Sequence, residues 1–271
     1  MVMQLDSYLA RIRYTGPRTV TADTLCQLHR AHLLAIPYEN LDIHLGRALT
    51  LDLAHIYQKL VVEQRGGWCY EMNGLFAWAL RELGFAVTLL GSSVGEAAQG
   101  ATGDLDHLIL RVDLEQPWLA DVGFGNGLLE PIPLAPGCYQ QGFLTFQLEQ
   151  QADSWFFHNH PQGGKGYGFT LLPRQLAGFA GRCQELQTSP ESGFVRTTVC
   201  HRFTAEGIAT LRGVVFKQVT AQDSSVEEIT ALSRYRTVLQ QHFGLPPTLA
   251  APLWEDVWAR HLAWQQAQAL A

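Results

Sequence analysis

A thiol, an imidazole and a carboxylate occupy positions from which they could act together. Cys69 lies in the stretch Arg65-Gly-Gly-Trp68-Cys69-Tyr-Glu71-Met-Asn73. Two glycines permit a tight turn, and Leu75, Phe76, Ala79, Leu80 and Leu83 then recur at helical spacing up to Gly84, a good stop residue. The spacing predicts a helix that begins close to Cys69. Its unpaired amides and positive dipole end favour an anion, so a thiol there should ionise more easily, with the cation Arg65 helping. The same stretch also fits a buried structural cysteine. A histidine and an orienting carboxylate near the sulfur would decide for nucleophilic chemistry. In that chemistry the thiolate attacks an acyl carbon, the imidazole carries the proton and the carboxylate fixes the imidazole tautomer.

His107 and Asp121 offer such a pair. Residues 106–112 and 118–124 alternate apolar and polar, and a short polar turn containing Pro117 joins them, which is a hairpin signature. A turn centred on Leu114 sets His107 directly opposite Asp121, on the face shared by Ile109 and Leu119, with Cβ atoms about 5 Å apart. A slip of one residue would destroy the pairing, and a slip of two would loosen it. Such a pair also serves as a structural hydrogen bond. His29 and His32 share a helix face but lack a third ligand, so they read as structural histidines. His158-Asn-His160-Pro reads as a turn, and 163–168 lacks the spacing of a phosphate-binding loop.

The elements that must carry these groups change along the chain. The first third is helical, with helices at 3–13, at 22–35 (capped by Thr21 and stopped by Pro37), at 52–63 and after Cys69. After Gly84 come strands at 85–92, the hairpin, 143–148, 154–158 and 166–172, with a loop at 93–104, which suggests a small barrel or curled sheet. Strands at 194–203 and 208–219 follow. Ser225-Val-Glu-Glu228 reads as a capping box opening a helix to Phe243, closed by Gly244. A last helix starts near Pro252, with Trp254, Trp258 and Leu262 on or near one face and the two tryptophans as core anchors. The expected division is 1–85, 86–190 and 191–271.

Composition excludes several classes. The 271 residues are 47% hydrophobic and only 16% charged, which describes a globular chain. A net charge of −6 and no Lys/Arg cluster argue against a nucleic-acid partner. No apolar run approaches a membrane span and the N-terminus lacks a signal-peptide pattern, so no membrane partner and a cytoplasmic location are expected. Cys26, Cys69, Cys138, Cys183 and Cys200 are odd in number and scattered, which suits reduced thiols and neither a disulfide framework nor a metal cage.

Taken together, Arg-Gly-Gly-x-Cys69-x-Glu-x-Asn73, His107 and Asp121-Val-Gly-Phe-Gly125 resemble the motifs of the arylamine N-acetyltransferase family. Leu28-His29-x-x-His32 and Ile36-Pro-Tyr-Glu-Asn-Leu41 are similar to its N-terminal motif, and the likeness runs from about residue 5 to 245. The resemblance implies an α+β fold: an N-terminal helical bundle, a central β-barrel and a C-terminal α/β lid around a cysteine-protease-like triad. It implies acetyl-CoA as co-substrate, no metal, and ping-pong transfer through an acetyl thioester on Cys69. His107 would be the base and Asp121 its orienter. Arylamines, arylhydrazines or N-hydroxyarylamines would be acceptors, as in xenobiotic metabolism. Tyr38, Trp68 and Phe124 would line the acceptor pocket. Gly123, Gly125, Asn126 and Gly127 would form a loop approaching CoA, with backbone amides free to meet phosphate. Arg65 and Glu71 would pair to brace the cysteine loop, with Asn73 in a similar structural role. The chain departs from the pattern at Asn126, where bacterial members often carry glycine, and at Gly193, which offers no side chain to a cofactor. The alternative is an amide synthase on the same fold, closing an amide in a biosynthetic precursor. Whether the chain forms a homo-oligomer stays open.

Overall fold

The structure is a computed structural model that describes residues 2–95 and 105–269. The N-terminal part holds α1 (Leu5–Arg11), α2 (Ala22–Ala35), the short strand β1 (Tyr38–Glu39), α3 (Leu41–His44), α4 (Leu53–Tyr57) and α5 (Cys69–Glu82). The Thr21 hydroxyl accepts the Thr24 amide at 3.3 Å and so caps α2. That helix ends at Ala35 because Pro37 disfavours helical backbone at Ile36, which is extended. The helix expected at 52–63 is α4 followed by a π-helical stretch over Gln58–Val62. Helix α5 starts at Cys69, and Gly84 follows its end with φ +94°.

Next come β2 (Ala86–Val94), β3 (His107–Asp113), β4 (Pro117–Ala120), β5 (Ile132–Pro133), β6 (Gly137–Gln141), β7 (Leu144–Gln151), β8 (Ser154–His158) and β9 (Tyr167–Arg174). They form an antiparallel sheet in the order β5-β4-β3-β2-β9-β8-β7-β6, curled into a nearly closed barrel. Strand alternation decides which side is inside. In β7, Leu144, Phe146 and Leu148 are buried while Thr145 and Gln147 are exposed. Strand β2 reaches Val94, and the rest of the loop expected at 93–104 lies mostly outside the described residues.

The β3–β4 register departs from the expectation. Leu110 faces Ala120 and Asp113 faces Pro117, so the turn centres on Glu115 and not on Leu114. Extended along that register, His107 falls opposite Gly123, and Asp121 lies beyond the end of β4. The slip is two residues, so side-chain parity survives and both groups stay on one side.

The C-terminal part holds α6 (Ala180–Thr188), α7 (Gly193–Arg196), β10 (Val199–Phe203), β11 (Gly207–Arg212), β12 (Val215–Thr220), β13 (Ser224–Glu228), α8 (Leu232–Phe243) and α9 (Ala250–Ala269). Among the described residues its sheet runs β1-β10-β11-β12-β13. Three expectations are corrected here. The Ser192 hydroxyl accepts the Phe194 amide and opens α7 where a strand was expected. The run 208–219 breaks at Gly213, φ +57°, into the hairpin β11–β12. Ser225–Glu228 belongs to strand β13, paired with β12, and is no capping box. Glu228, the acidic member of the expected box, instead lies 3.3 Å from His261 Nε2 on α9. Trp254 and Trp258 pack against the lid core as expected, and Leu262 on the same helix is 40% exposed.

Most of the apolar core lies between α5 and the barrel, and a second cluster lies between the lid sheet and α8. Among the described residues no helix is long and apolar enough to cross a membrane.

Candidate active site

Asn73 ties the three predicted groups together. It sits one turn into α5, is fully buried, and its Nδ2 donates to the Leu108 carbonyl at 2.6 Å and to Asp121 Oδ1 at 2.8 Å. Its Oδ1 accepts the Val122 amide at 3.0 Å. One side chain therefore fastens the Cys69 helix to the strand that carries His107 and to the segment that carries Asp121.

His107 Nε2–H donates to Asp121 Oδ2 at 2.7 Å, with both residues about 2% exposed. Asp121 Oδ1 takes the remaining donors, from Asn73 and from the Gly123 amide at 2.9 Å. Burial alone would raise the Asp121 pKa, but His107, Asn73 and the Gly123 amide outweigh it and hold the carboxyl below its ordinary value. The pairing expected from the hairpin thus forms, although by a turn of the chain past β4 and not by direct opposition. With Nε2 engaged, the free ring nitrogen is Nδ1.

Cys69 is 3% exposed, and its Sγ lies 3.8 Å from the carbonyl oxygen of Asp106, the residue before His107. Burial pushes its thiol pKa well above the ordinary value, and the Asp121 charge adds to this, while the amides of Leu108 and Tyr70 oppose it. The easily ionised thiol expected from the helix start is therefore corrected: desolvation of an isolated thiolate outweighs the helix amides. Arg65 does not help, because its charge is spent elsewhere.

Arg65 and Glu71 do not pair with each other. Arg65 Nη2 bonds Glu39 Oε1 at 2.7 Å and Asp42 Oδ1 at 2.9 Å. Lys59 Nζ bonds both Glu71 oxygens at 2.9 Å and Asp42 Oδ2 at 2.9 Å. Asp42 thus bridges the two cations, and all five residues are buried. Glu71 also accepts the Trp68 amide at 3.2 Å, so the network clamps the turn before α5. Gly66 is required in that turn because a Cβ would collide with the Pro37 carbonyl. Removing one partner strands a buried charge. Lys59→Ala is expected to destabilise the fold by about 3–5 kcal/mol, read from urea unfolding, whereas a loss below 1 kcal/mol would contradict this role.

The loop after Asp121 lies under the same site. A Cβ at Gly123 would come within 2.8 Å of the Cys69 backbone, so only glycine lets this loop lie on the helix start. The Gly123 amide is spent on Asp121 and is not free for phosphate, contrary to expectation. Gly125 lies against the His201 ring and Gly127 against the Phe124 ring. Asn126 presents its carbonyl to His160 Nε2 at 2.8 Å. Phe124 is half-buried, and its ring centre is 5.3 Å from that of His107. Tyr38 is 7% exposed and 5.8 Å from His201. Trp68 is fully buried edge-on against Tyr70 and Phe194, so it shapes the site from beneath and lines no open pocket.

Two contributors escaped the sequence reading. Tyr167 places its ring 5.2 Å from both His107 and Phe124, and nothing in the sequence singled it out from the strand expected at 166–172. His29 is more informative. Its Nε2 accepts the Asp121 amide at 3.1 Å, and its Nδ1–H donates to the Leu129 carbonyl at 2.9 Å, so one buried ring pins both ends of the 121–129 segment. The sequence marked His29 as a structural histidine on the face it shares with His32, but its partners lie in distant parts of the chain. His32 bonds the Tyr8 hydroxyl at 2.8 Å. No group of three His, Cys, Asp or Glu side chains among the described residues is arranged to hold a metal.

Burial lowers the His29 pKa to about 4 from 6.5, against the opposing influence of Leu129 and Asp121. The folded value is the lower one, so the stability it contributes is present above pH 6.5 and is lost as pH falls towards 4. His29→Gln should remove this component. Between pH 7 and pH 5 the parent should lose roughly 2 kcal/mol more unfolding free energy than the variant. Equal losses would mean that His29 is already charged in the fold.

Comparison with known proteins agrees with this architecture. The N-acetyltransferase family profile matches residues 21–250. Arylamine N-acetyltransferase, pineal gland isozyme NAT-3 of Gallus gallus is 36% identical over 236 residues, covering 78% of this chain and 81% of that one. The arylamine N-acetyltransferase of Nocardia farcinica superposes with a TM-score of 0.83 at 35% identity, covering 93% of each chain. The Mycobacterium marinum enzyme, solved in complex with CoA, superposes with a TM-score of 0.84 at 27% identity, covering 94% of this chain and 99% of that one. With the family profile spanning most of its length and its fold shared with solved members, the chain belongs to the arylamine N-acetyltransferase family of acyltransferases.

Proposed function

We propose that this chain transfers an acetyl group from acetyl-CoA to an aromatic amine, hydrazine or N-hydroxyarylamine through a thioester on Cys69. The observation that carries the reading is the buried His107–Asp121 bond, fastened by Asn73 to the helix that begins at Cys69. The CoA complex of the M. marinum relative supports the choice of donor.

Asp121 keeps a proton on His107 Nε2, so Nδ1 is the basic atom. It takes the Cys69 proton as sulfur attacks the acetyl carbonyl carbon. Burial disfavours a lone thiolate, but this exchange creates a thiolate and an imidazolium side by side, with Asp121 balancing the cation. The tetrahedral adduct collapses, the bond from carbon to CoA sulfur breaks, and the leaving thiolate takes the proton from His107. Acetyl-Cys69 remains. An amine nitrogen then attacks the thioester and gives its proton to Nδ1. The released Cys69 sulfur recovers that proton, and the amide leaves. Tyr38 and Phe124 supply aromatic faces for a flat acceptor beside the imidazole.

Initial rates measured against both substrates test the reading. A ping-pong enzyme gives parallel double-reciprocal lines for acetyl-CoA and an arylamine such as 4-aminobenzoate, with one CoA released per amide. Intersecting lines would overturn the covalent route. Turnover of a tethered aryl amine-thioester precursor, with acetyl-CoA inert, would favour the amide synthase.

A further inference from the structure

Three consecutive residues, Leu105, Asp106 and His107, are each held by a different element. The Tyr70 hydroxyl on α5 donates to the Leu105 carbonyl at 2.5 Å. The Ser92 hydroxyl on β2 donates to the His107 carbonyl at 3.1 Å. Between them, Arg182 on α6 grips the Asp106 carboxylate, with Nε at 2.6 Å and Nη2 at 2.5 Å from the same Oδ1. Glu185, one turn further along α6, takes Arg182 Nη1 at 2.8 Å and steadies the guanidinium. Tyr70 and Ser92 are buried, whereas the Arg182 side chain is 33% exposed and that of Asp106 17%. An ion pair this open adds little to stability, so its effect is to be sought in the site beside it.

The grip bears on the peptide between Asp106 and His107, and both ends of that peptide matter. Its carbonyl oxygen is the acceptor that Cys69 Sγ faces at 3.8 Å. Its nitrogen belongs to His107, the base of the proposed transfer. A thiol that donates to this carbonyl must turn its proton to the imidazole before it reacts, so the tilt of one peptide governs both acceptors. Charge gives a second reason. The Asp106 carboxylate stands one residue from the imidazole, and an unpaired anion there would oppose each loss of a proton from the site. The two charges are felt in opposite senses at Tyr70, the residue after Cys69: Asp106 pushes the pKa of its hydroxyl up and Arg182 pulls it down. The other titratable groups acting on or beside the sulfur are His107 and Asp121, Tyr38 on β1, Tyr70 on α5 and Cys183 on α6. None of these carries a fixed positive charge that could replace Arg182.

We infer that Arg182 is a positioning residue for acetyl transfer: through Asp106 it fixes the peptide that runs between the Cys69 sulfur and His107, and it cancels the carboxylate beside them. The inference rests on the reading of Cys69 as nucleophile above. Arg182 touches neither the sulfur nor the imidazole and acts only through residue 106.

Iodoacetamide labelling of Cys69 across pH, followed by peptide mass, reads the thiol without any donor. In Arg182→Gln the pH of half-maximal labelling should rise by about half a pH unit or more, because Asp106 is then unpaired. The kcat for acetyl transfer should fall roughly tenfold, with the urea midpoint near that of the parent. Asp106→Asn alone should move the labelling profile the other way, since Arg182 then lacks its partner. The double variant, which removes both charges, should return the profile towards the parent's. An unchanged profile in Arg182→Gln, shifts of one direction in both single variants, or a shift that the double variant keeps would overturn the inference. Opposite shifts and their rescue, in a protein that acetyl-CoA does not acetylate, would support the role of Arg182 at the thiol and count against the transfer reading alone.

Discussion

Cys69→Ser is expected to lose acetyl transfer by about 10⁴-fold or more, with the fold intact. The change removes one sulfur at a 3% exposed position and leaves every hydrogen bond of Asn73, His107 and Asp121 in place. What it removes is an acidic nucleophile. A serine hydroxyl is much harder to ionise than a thiol, and burial already works against an anion at this position. The arrangement suits exchange of a thiol proton with imidazole and offers nothing further to activate an alkoxide. Steady-state rates with acetyl-CoA and an arylamine check this, with the urea midpoint as a control for folding. Turnover within tenfold of the parent would remove Cys69 from the chemistry.

Asp121→Asn is expected to have the second-largest effect, a loss of about 10³–10⁴-fold in kcat. Oδ1 has two donors to satisfy, Asn73 and the Gly123 amide, so an asparagine oxygen would stay there. The new amide nitrogen would then face His107 and donate to Nε2. That forces the ring proton onto Nδ1, which then cannot accept another. The variant also removes the negative charge that balances the imidazolium. Its signature is therefore a collapse in kcat with near-native stability, because the side chain keeps its shape and most of its hydrogen bonds. Near-normal kinetics in a folded variant would show that Asp121 is only a structural acceptor.

How much of this was legible in the sequence depended on the range of the interaction. Helix α5 and its start at Cys69 followed from local periodicity and two glycines, and the barrel strands followed from alternation. The His107–Asp121 pairing was legible too, but its stated reason was partly wrong. A two-residue register shift leaves both groups on one side, so parity survived and the chain beyond β4 closed the gap. The capping box at 225–228 failed for a different reason. Its local signal is genuine, but pairing with β12 and the approach of Glu228 to His261 are contacts that no window of sequence contains. The Arg65–Glu71 pair failed in the same way, because the structure inserts Lys59, Asp42 and Glu39 between them. His29 shows the limit most clearly: both its partners lie about a hundred residues away, at Asp121 and Leu129. Local pattern was readable, and the shell of long-range contacts around Cys69, His107 and Asp121 was not.

The buried network and the His29 strap also explain why a site of reactive groups can sit in so enclosed a place. Cys69, His107 and Asp121 stand at the start of α5, at the start of β3 and in the segment after β4, all three among residues that are themselves buried. Misplacement of these groups by a fraction of an ångström is costly in covalent catalysis, and this shell restricts it.

The central claim, a covalent acetyl-enzyme on Cys69, is tested most directly by the intact mass of the protein mixed with acetyl-CoA and no acceptor. The account predicts a gain of a single acetyl group, mapped by peptide analysis to Cys69 and discharged when an aromatic amine is added. It also predicts release of one equivalent of CoA. An unchanged mass with no CoA released, or an acetyl group that maps to Cys26, Cys138, Cys183 or Cys200, would contradict it.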